Sequence, residues 1–330
     1  MSSRIGIVGC GLMGTEHAKR MERAGGDIVA GVDVAPEARE RFADAFEADV
    51  YEDYADLYAG DVDGVVVTLP NAFHEEAAVV ALDAGLDVLL EKPVAHDLAS
   101  AERVVAAARD SEGFCMTGFT MRFYAEVTEL MGRIESGEFG DVTHVEARYV
   151  RRDGVPESGW FIDPDLAGGG ALVDVGVHVL DLALAALDFP AVEGVYGRTW
   201  AKREDIDVED SATALVRCDD GATVSLDVSW AANADPSQSV AVRGSDGGAL
   251  LDVGDGTLRV YDDADDAKRV ETADHDWLAP EDEAFVDAVE VGAPPAVSDV
   301  EEGLAVQRVV DAIYRSSETG TLVAPSQNAR

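Results

Sequence analysis

The chain has 330 residues, 47% of them hydrophobic, which exceeds one typical core and suits two domains. Its 66 acidic against 25 basic residues give a net charge of −41, a field that repels nucleic acid and anionic membranes and argues against both as partners. Three cysteines, Cys10, Cys115 and Cys218, form no CxxC pair and so no disulfide framework.

The first 120 residues alternate strand and helix. Arg4–Val8 is a short apolar run, followed by a glycine loop and a helical pattern to about Ala24. Ile28–Val32 reads as a second strand ending at Asp33, and Pro36 opens the next helix, a favoured place for proline. Gly64–Thr68 and Asp87–Leu90 are continuous apolar strands of the kind buried on both faces of a parallel sheet. Between them His74–Ala84 is helical and stops at Gly85. Asp97 caps a helix to about Arg109, and Phe114–Thr117 is a further strand. The pattern predicts an α/β fold with a doubly wound parallel Rossmann sheet over residues 1–120.

Residues 121–330 read as a C-terminal α+β domain with an open, mostly antiparallel sheet. A helix at about Tyr124–Ser136 precedes strand Val142–Arg152 and a glycine-led helix from Gly170 to Leu187. Strands follow at Val192–Ala201, Ser211–Arg217, Thr223–Ser229, Ser239–Arg243, Ala249–Val253 and Leu258–Tyr261. Helices Glu281–Val291 and Asp299–Ser316 close the domain, and Ala324–Arg330 is expected to fray. The longest apolar stretch, Ala171 to Leu187, carries Asp174, His178 and Asp181, which argues against a membrane span. No basic start leads into an apolar leader, so a cytoplasmic location is expected. The only lysines are Lys19, Lys92, Lys202 and Lys268. At molar salt the screening length falls to about 3 Å and self-repulsion largely disappears. A halophile's high-salt cytoplasm is therefore the expected setting, with an acidic protein of an ordinary cytoplasm as the alternative.

Gly9-Cys10-Gly11-Leu12-Met13-Gly14 fits G-x-G-x-x-G. It follows a strand, opens a helix and precedes Asp33 by about 20 residues, the context that makes the string a dinucleotide fingerprint. Gly9 allows the tight turn, Gly11 lets backbone approach a pyrophosphate, and Gly14 permits close helix–strand packing. Asp33 would accept hydrogen bonds from the adenosine ribose and repel a 2′-phosphate, so NAD is expected over NADP, with NADP kept open.

Lys92 stands just past the C-terminal end of a buried strand, where ligands bind in such sheets and a cation could steady an oxyanion. A cis peptide to Pro93 is compatible with the sequence. Asp174, His178 and Asp181 share one face of a helix that is otherwise apolar. A structural histidine, a metal pair and an acid–base pair are the three readings. No further ligand cluster supports a metal. With Lys92 and the glycine loop present, an acid–base pair for hydride transfer fits best.

These features together resemble the Gfo/Idh/MocA dehydrogenases, on the loop GCGLMG, TLPNAFH at 68–74, EKP at 91–93, GFTMRF at 118–123 and GGGALVDVGVHVLDL at 168–182. The resemblance spans nearly the whole chain. It implies that Lys92, Asp174 and His178 line the reacting carbon and bind substrate. It also implies that Leu12, Met13, Leu69, Pro70, Asn71, His74 and Glu91 lie along the cofactor with the glycines and Asp33. The implied reaction is oxidation of a sugar or polyol hydroxyl, in a homodimer or homotetramer joined through the C-terminal sheet. Arg122, Arg151, Arg152 and Trp160 are candidate substrate contacts or structural residues. The alternatives are an NAD-dependent glycosidase or reductase on the same fold, and a non-catalytic NAD- or sugar-binding regulator.

Overall fold

Arg4–Val8 (β1) is buried from Ile5 onward, as a central strand covered on both faces must be. The computed structural model describes residues 2–156, 159–262, 268–270, 272 and 279–326. The chain divides into two compact units, residues 1–120 with 276–304 and residues 121–275 with 305–330.

In the first unit β1 is followed by α1 (Leu12–Arg23), β2 (Asp27–Val32), α2 (Pro36–Phe46), β3 (Asp49–Tyr51) and α3 (Tyr54–Tyr58). Then come β4 (Gly64–Val67), α4 (His74–Asp83), β5 (Asp87–Glu91), α5 (Leu98–Asp110) and β6 (Cys115–Gly118). The strands form one parallel sheet in the order β3-β2-β1-β4-β5-β6, the doubly wound arrangement expected. Val65, Val67, Val88 and Leu90 pack with Ala78, Leu82 and Val104 in its core. Helix starts follow local chemistry: Asp53 accepts from the Ala55 amide, Asp97 from the Ser100 amide, and Pro36 occupies a first turn. The sequence pattern missed β3 and α3, which are too short for a period to register.

A later helix, Ala279–Val291, also belongs to this unit, whereas linear reading placed it in the C-terminal domain. Phe285 is fully buried against Phe114. Ser298 and Asp299 extend the β6 edge: the Thr117 amide donates to the Ser298 carbonyl, and Met116 bridges Asp299.

The second unit runs through α6 (Ala125–Glu135), β7 (Val142–Val150), α7 (Pro164–Ala167), a π-helical turn Leu172–Gly176 and α8 (Val177–Ala185). It continues with β8 (Val192–Trp200), β9 (Ser211–Cys218), β10 (Thr223–Ser229), β11 (Ser237–Gly244), β12 (Gly248–Asp252), β13 (Thr257–Tyr261) and β14 (Lys268–Val270). The chain closes with α9 (Ala279–Val291), the helix already placed in the first unit, and α10 (Val300–Thr319). The eight strands are ordered β14-β13-β12-β11-β7-β10-β9-β8, and only β7 with β10 is parallel. The apolar helix packs on one face of this sheet and is buried. The opposite face is open, with Tyr196, Leu215 and Tyr261 exposed. Just before the expected tail Val323 pairs with Val195, and the Ala324 carbonyl accepts from Arg315 at 3.1 Å; 327–330 lie outside the described residues.

Candidate active site

In the first unit the parallel register brings the ends of β1, β4, β5 and β6 to one edge, with Val8 beside Val67, Val67 beside Leu90, and Glu91 beside Gly118. The glycine loop leaves β1 there. Gly9 has φ 102°, and an added Cβ would lie 2.9 Å from the Thr68 carbonyl oxygen. Thr68 Oγ1 donates to the Gly9 carbonyl at 2.8 Å and pins the turn. A Cβ on Gly14 would overlap the Gly9 oxygen at 2.0 Å, whereas one on Gly11 would meet nothing within 4 Å. Open space at the start of α1, with unpaired helix N–H groups, is the cradle a pyrophosphate fills. Leu12 and Met13, 79% and 39% exposed, stand at the same turn as apolar side chains that a ligand would cover. At the end of β2 the Asp33 carboxylate accepts from the Cys10 amide at 3.0 Å and the Ala35 amide at 2.8 Å. It therefore ties the glycine loop to β2 and retains lone pairs for ribose hydroxyls. These residues fit a nicotinamide dinucleotide.

Leu69 and Pro70, both half-buried, leave β4 and lead into a 3₁₀ turn, Asn71–Phe73, with Asn71 buried. His74 lies just beyond, at the start of α4. It is 1% exposed, with Nδ1 2.9 Å from the Pro93 carbonyl oxygen and Nε2 2.8 Å from that of Leu69. Burial holds its pKa below the ordinary value. A neutral ring donates its single N–H to one of these two carbonyls. Glu91 likewise turns inward: one carboxylate oxygen accepts the Lys92 amide at 2.9 Å and the other faces His17 at 3.2 Å. Lys92 follows β5, half-buried, with a cis peptide to Pro93.

In the second unit the segment Ala171–Leu184 is buried except at Asp174 and His178, which are half-buried. The π-helical turn holds Asp174, and His178 lies in the first turn of α8. π-turns recur where a helix presents functional side chains. Trp230, fully buried, donates its indole N–H to Asp174 at 3.0 Å. Beneath the helix start, Glu209 accepts the Gly170 amide at 2.9 Å, the Leu172 amide at 3.0 Å and the Tyr314 hydroxyl at 3.0 Å. Asp181, which shares the stripe in the sequence, does something else. It is fully buried and paired with Arg122 at 2.9 Å. Arg122 is itself only 7% exposed and lies over the Phe189 ring.

Arg151 lies over Tyr149 and donates to its hydroxyl at 2.8 Å, while Arg152 is exposed. Trp160 stacks on Phe161 with ring centres 3.9 Å apart, which covers one of its faces. Sequence reasoning missed His17, Asp282, Trp230 and Glu209. Their signal is burial of polar groups far apart in the chain, which periodicity does not register.

Residues 3–119 match the family described as "Oxidoreductase family, NAD-binding Rossmann fold", and residues 127–250 match "GFO/IDH/MocA C-terminal domain". D-glucoside 3-dehydrogenase of Escherichia coli (strain K12) is 31% identical over 344 residues, covering 97% of this chain and 97% of the relative. D-xylose 1-dehydrogenase (NADP(+)) 2 of Haloferax volcanii is 34% identical over 282 residues, covering 83% and 84%. The solved structure of GenD2 from gentamicin A biosynthesis, in complex with NAD, aligns with a TM-score of 0.86 and 28% identity over 99% of this chain and 97% of that one. With the cofactor cradle intact at the edge of its Rossmann sheet, the chain belongs to the Gfo/Idh/MocA family and is an NAD(P)-dependent oxidoreductase with an NAD-binding domain.

Proposed function

We propose that the enzyme oxidises a secondary or anomeric hydroxyl of a sugar or polyol. The observation that carries this reading is the pair Asp174 and His178, the two half-exposed polar residues on an otherwise buried helix segment. An aspartate and a histidine that both reach the surface one helical turn apart can meet a substrate alcohol together, the histidine as proton acceptor and the aspartate as orienting group. Bound nicotinamide supplies the hydride acceptor. His178 takes the hydroxyl proton as general base. Lys92 and Asp174 orient the hydroxyl and balance the charge that develops on its oxygen. Asp174 is held for this by the indole of Trp230.

The relatives named above act, by their names, on D-glucosides and D-xylose. Turnover of glucosides, free aldoses and inositols in molar KCl, followed by nicotinamide absorbance with NAD and with NADP, tests the proposal. Expected are turnover on at least one sugar, preference for NAD through Asp33, and loss of about 10²-fold or more in kcat for His178→Ala. Near-wild-type turnover of that variant overturns the role of His178. Binding of sugar without any turnover overturns the catalytic reading.

The open sheet face supports self-association into a homodimer or homotetramer. By register it carries Arg148, Arg198, Arg217, Arg243 and Arg259 against Glu146, Asp227 and Asp252. In a chain of 66 acidic and 25 basic residues, a face where arginines predominate among exposed tyrosine and leucine is chemically unlike a solvated acidic surface. The acidic, lysine-poor composition supports a cytoplasmic life in high salt.

A further inference from the structure

We propose that His17, clamped between Asp282 and Glu91, is a positioning residue that fixes the Lys92 main chain and thereby the reach of the Lys92 ammonium. The proposal rests on the reading of Lys92 as catalytic.

Three segments distant in sequence meet inside the first unit. His17, on α1, is 1% exposed. Its Nδ1 lies 2.6 Å from Asp282 Oδ1 on α9, and its Nε2 lies 3.2 Å from Glu91 Oε1 at the end of β5. The other Glu91 oxygen accepts the Lys92 amide at 2.9 Å, so both oxygens are engaged, one by the buried ring and one by the backbone. Room for that carboxylate comes from Gly118 on β6, where a Cβ would sit 3.3 Å from Glu91 Oε2 and 3.1 Å from its Cα. On the far side of Lys92, His74 holds the Pro93 carbonyl. Lys92 thus lies between two residues, Glu91 and Pro93, that each contact a buried histidine.

Charge explains why the clamp needs a histidine. Asp282 is fully buried and Glu91 is 14% exposed, and two carboxylates so placed without a cation between them are strongly unfavourable. Burial lowers the His17 pKa, but Asp282 and then Glu91 raise it well above the ordinary value. Burial would raise Glu91, yet His17 and Lys92 bring it down to about 2. The other groups facing the ring's partners are Arg20, 4.0 Å from Asp282, and Glu281, whose carboxyl burial pushes well up; burial also pushes Asp282 up, opposed by His17 and then Arg20. Removal of the His17 proton would drive Glu91 to take up a proton, which weakens its acceptance of the Lys92 amide, or to turn outward, which releases it.

Only four lysines make a direct test practical. Trace acetylation of the cofactor-free protein with acetic anhydride, read by mass spectrometry across pH, reports Lys92 against Lys19, Lys202 and Lys268 as internal references. In His17→Gln and Asp282→Asn the relative reactivity of Lys92 should change about tenfold while the references superimpose. Turnover should fall about tenfold or more through kcat, with NAD affinity within about threefold. A Lys92 profile identical to wild type in either folded variant overturns the proposal. Wild-type protein gives a reading that needs no variant: ¹⁵N shifts of the His17 ring at about pH 8 should be those of an imidazolium, and a neutral ring overturns the clamp. Lys92→Met tests the underlying reading separately. Unchanged turnover there removes the catalytic role of Lys92, while the labelling result still judges the clamp.

Discussion

At Gly14 an added Cβ would sit 2.0 Å from the Gly9 carbonyl oxygen, whereas at Gly11 it would meet nothing within 4 Å. Both glycines belong to one motif, yet the same methyl group should fail for different reasons. Gly11→Ala should fold with stability within about 0.5 kcal/mol of wild type and lose NAD affinity by about tenfold or more, because the methyl fills space reserved for phosphate. Gly14→Ala should lose stability before any ligand is added, since backbone must move. Denaturant midpoints and fluorescence titration with NADH separate the two, and equal loss of stability in both would contradict it. The Arg122–Asp181 pair is a second case where burial assigns the role. Both side chains are buried, so Asp181→Asn should cost about 3–5 kcal/mol by leaving Arg122 with a buried charge less well matched. If Arg122 were instead a substrate contact, KM would rise with little change in the denaturant midpoint.

Elements, unlike single residues, were largely readable from pattern. β4 and β5 could be read because continuous apolar runs between turn residues have few other uses, and the antiparallel strands β8 to β13 because turns punctuate them at regular intervals. The glycine loop and Lys92 could be located for the same reason, since each sits where a legible strand ends. Asp174 and His178 stood out as polar residues in an apolar helix, but pattern gave Asp181 equal standing, and only burial separated it from them. The contact of α9 with α1 was illegible, because a buried Asp–His pair joining residues 17 and 282 leaves no local trace. That contact carries a pH signature. His17 has a folded pKa above its unfolded value of 6.5, so its stabilisation is full below that value and is lost as pH rises through the folded pKa. Glu91, depressed from 4.5 to about 2, contributes stability above 4.5 that is lost as pH falls toward 2. These two groups contribute a decline in melting temperature below pH 4.5 and above pH 6.5, while Glu281, raised by burial, adds a loss that begins as pH rises past 4.5. His17→Gln should flatten the alkaline side above about pH 6.5. An alkaline decline that is as steep in the variant would show that the ring is not the titrating group.

For the molecule as a whole, a net charge of −41 opposes compaction at low ionic strength. The screening length shortens from about 10 Å at 0.1 M salt to about 3 Å at 1 M. Thermal stability should accordingly rise by about 10 °C or more between roughly 0.1 M and 3 M KCl, measured by circular dichroism. A flat response would mean that the acidic surface is tolerated without screening. The same titration by light scattering reports whether the arginine-bearing sheet face keeps copies associated when charge is screened. The split first unit also has a consequence for biosynthesis. Its last helix, α9, and the strand-edge residues Ser298 and Asp299 emerge from the ribosome about 160 residues after β6, a delay of roughly 10–30 s at ordinary elongation rates. Throughout that interval His17 and Glu91 wait without Asp282, and the hydrophobic seat of Phe285 stays uncovered. The nascent cofactor domain thus leaves part of its core open until synthesis is nearly finished.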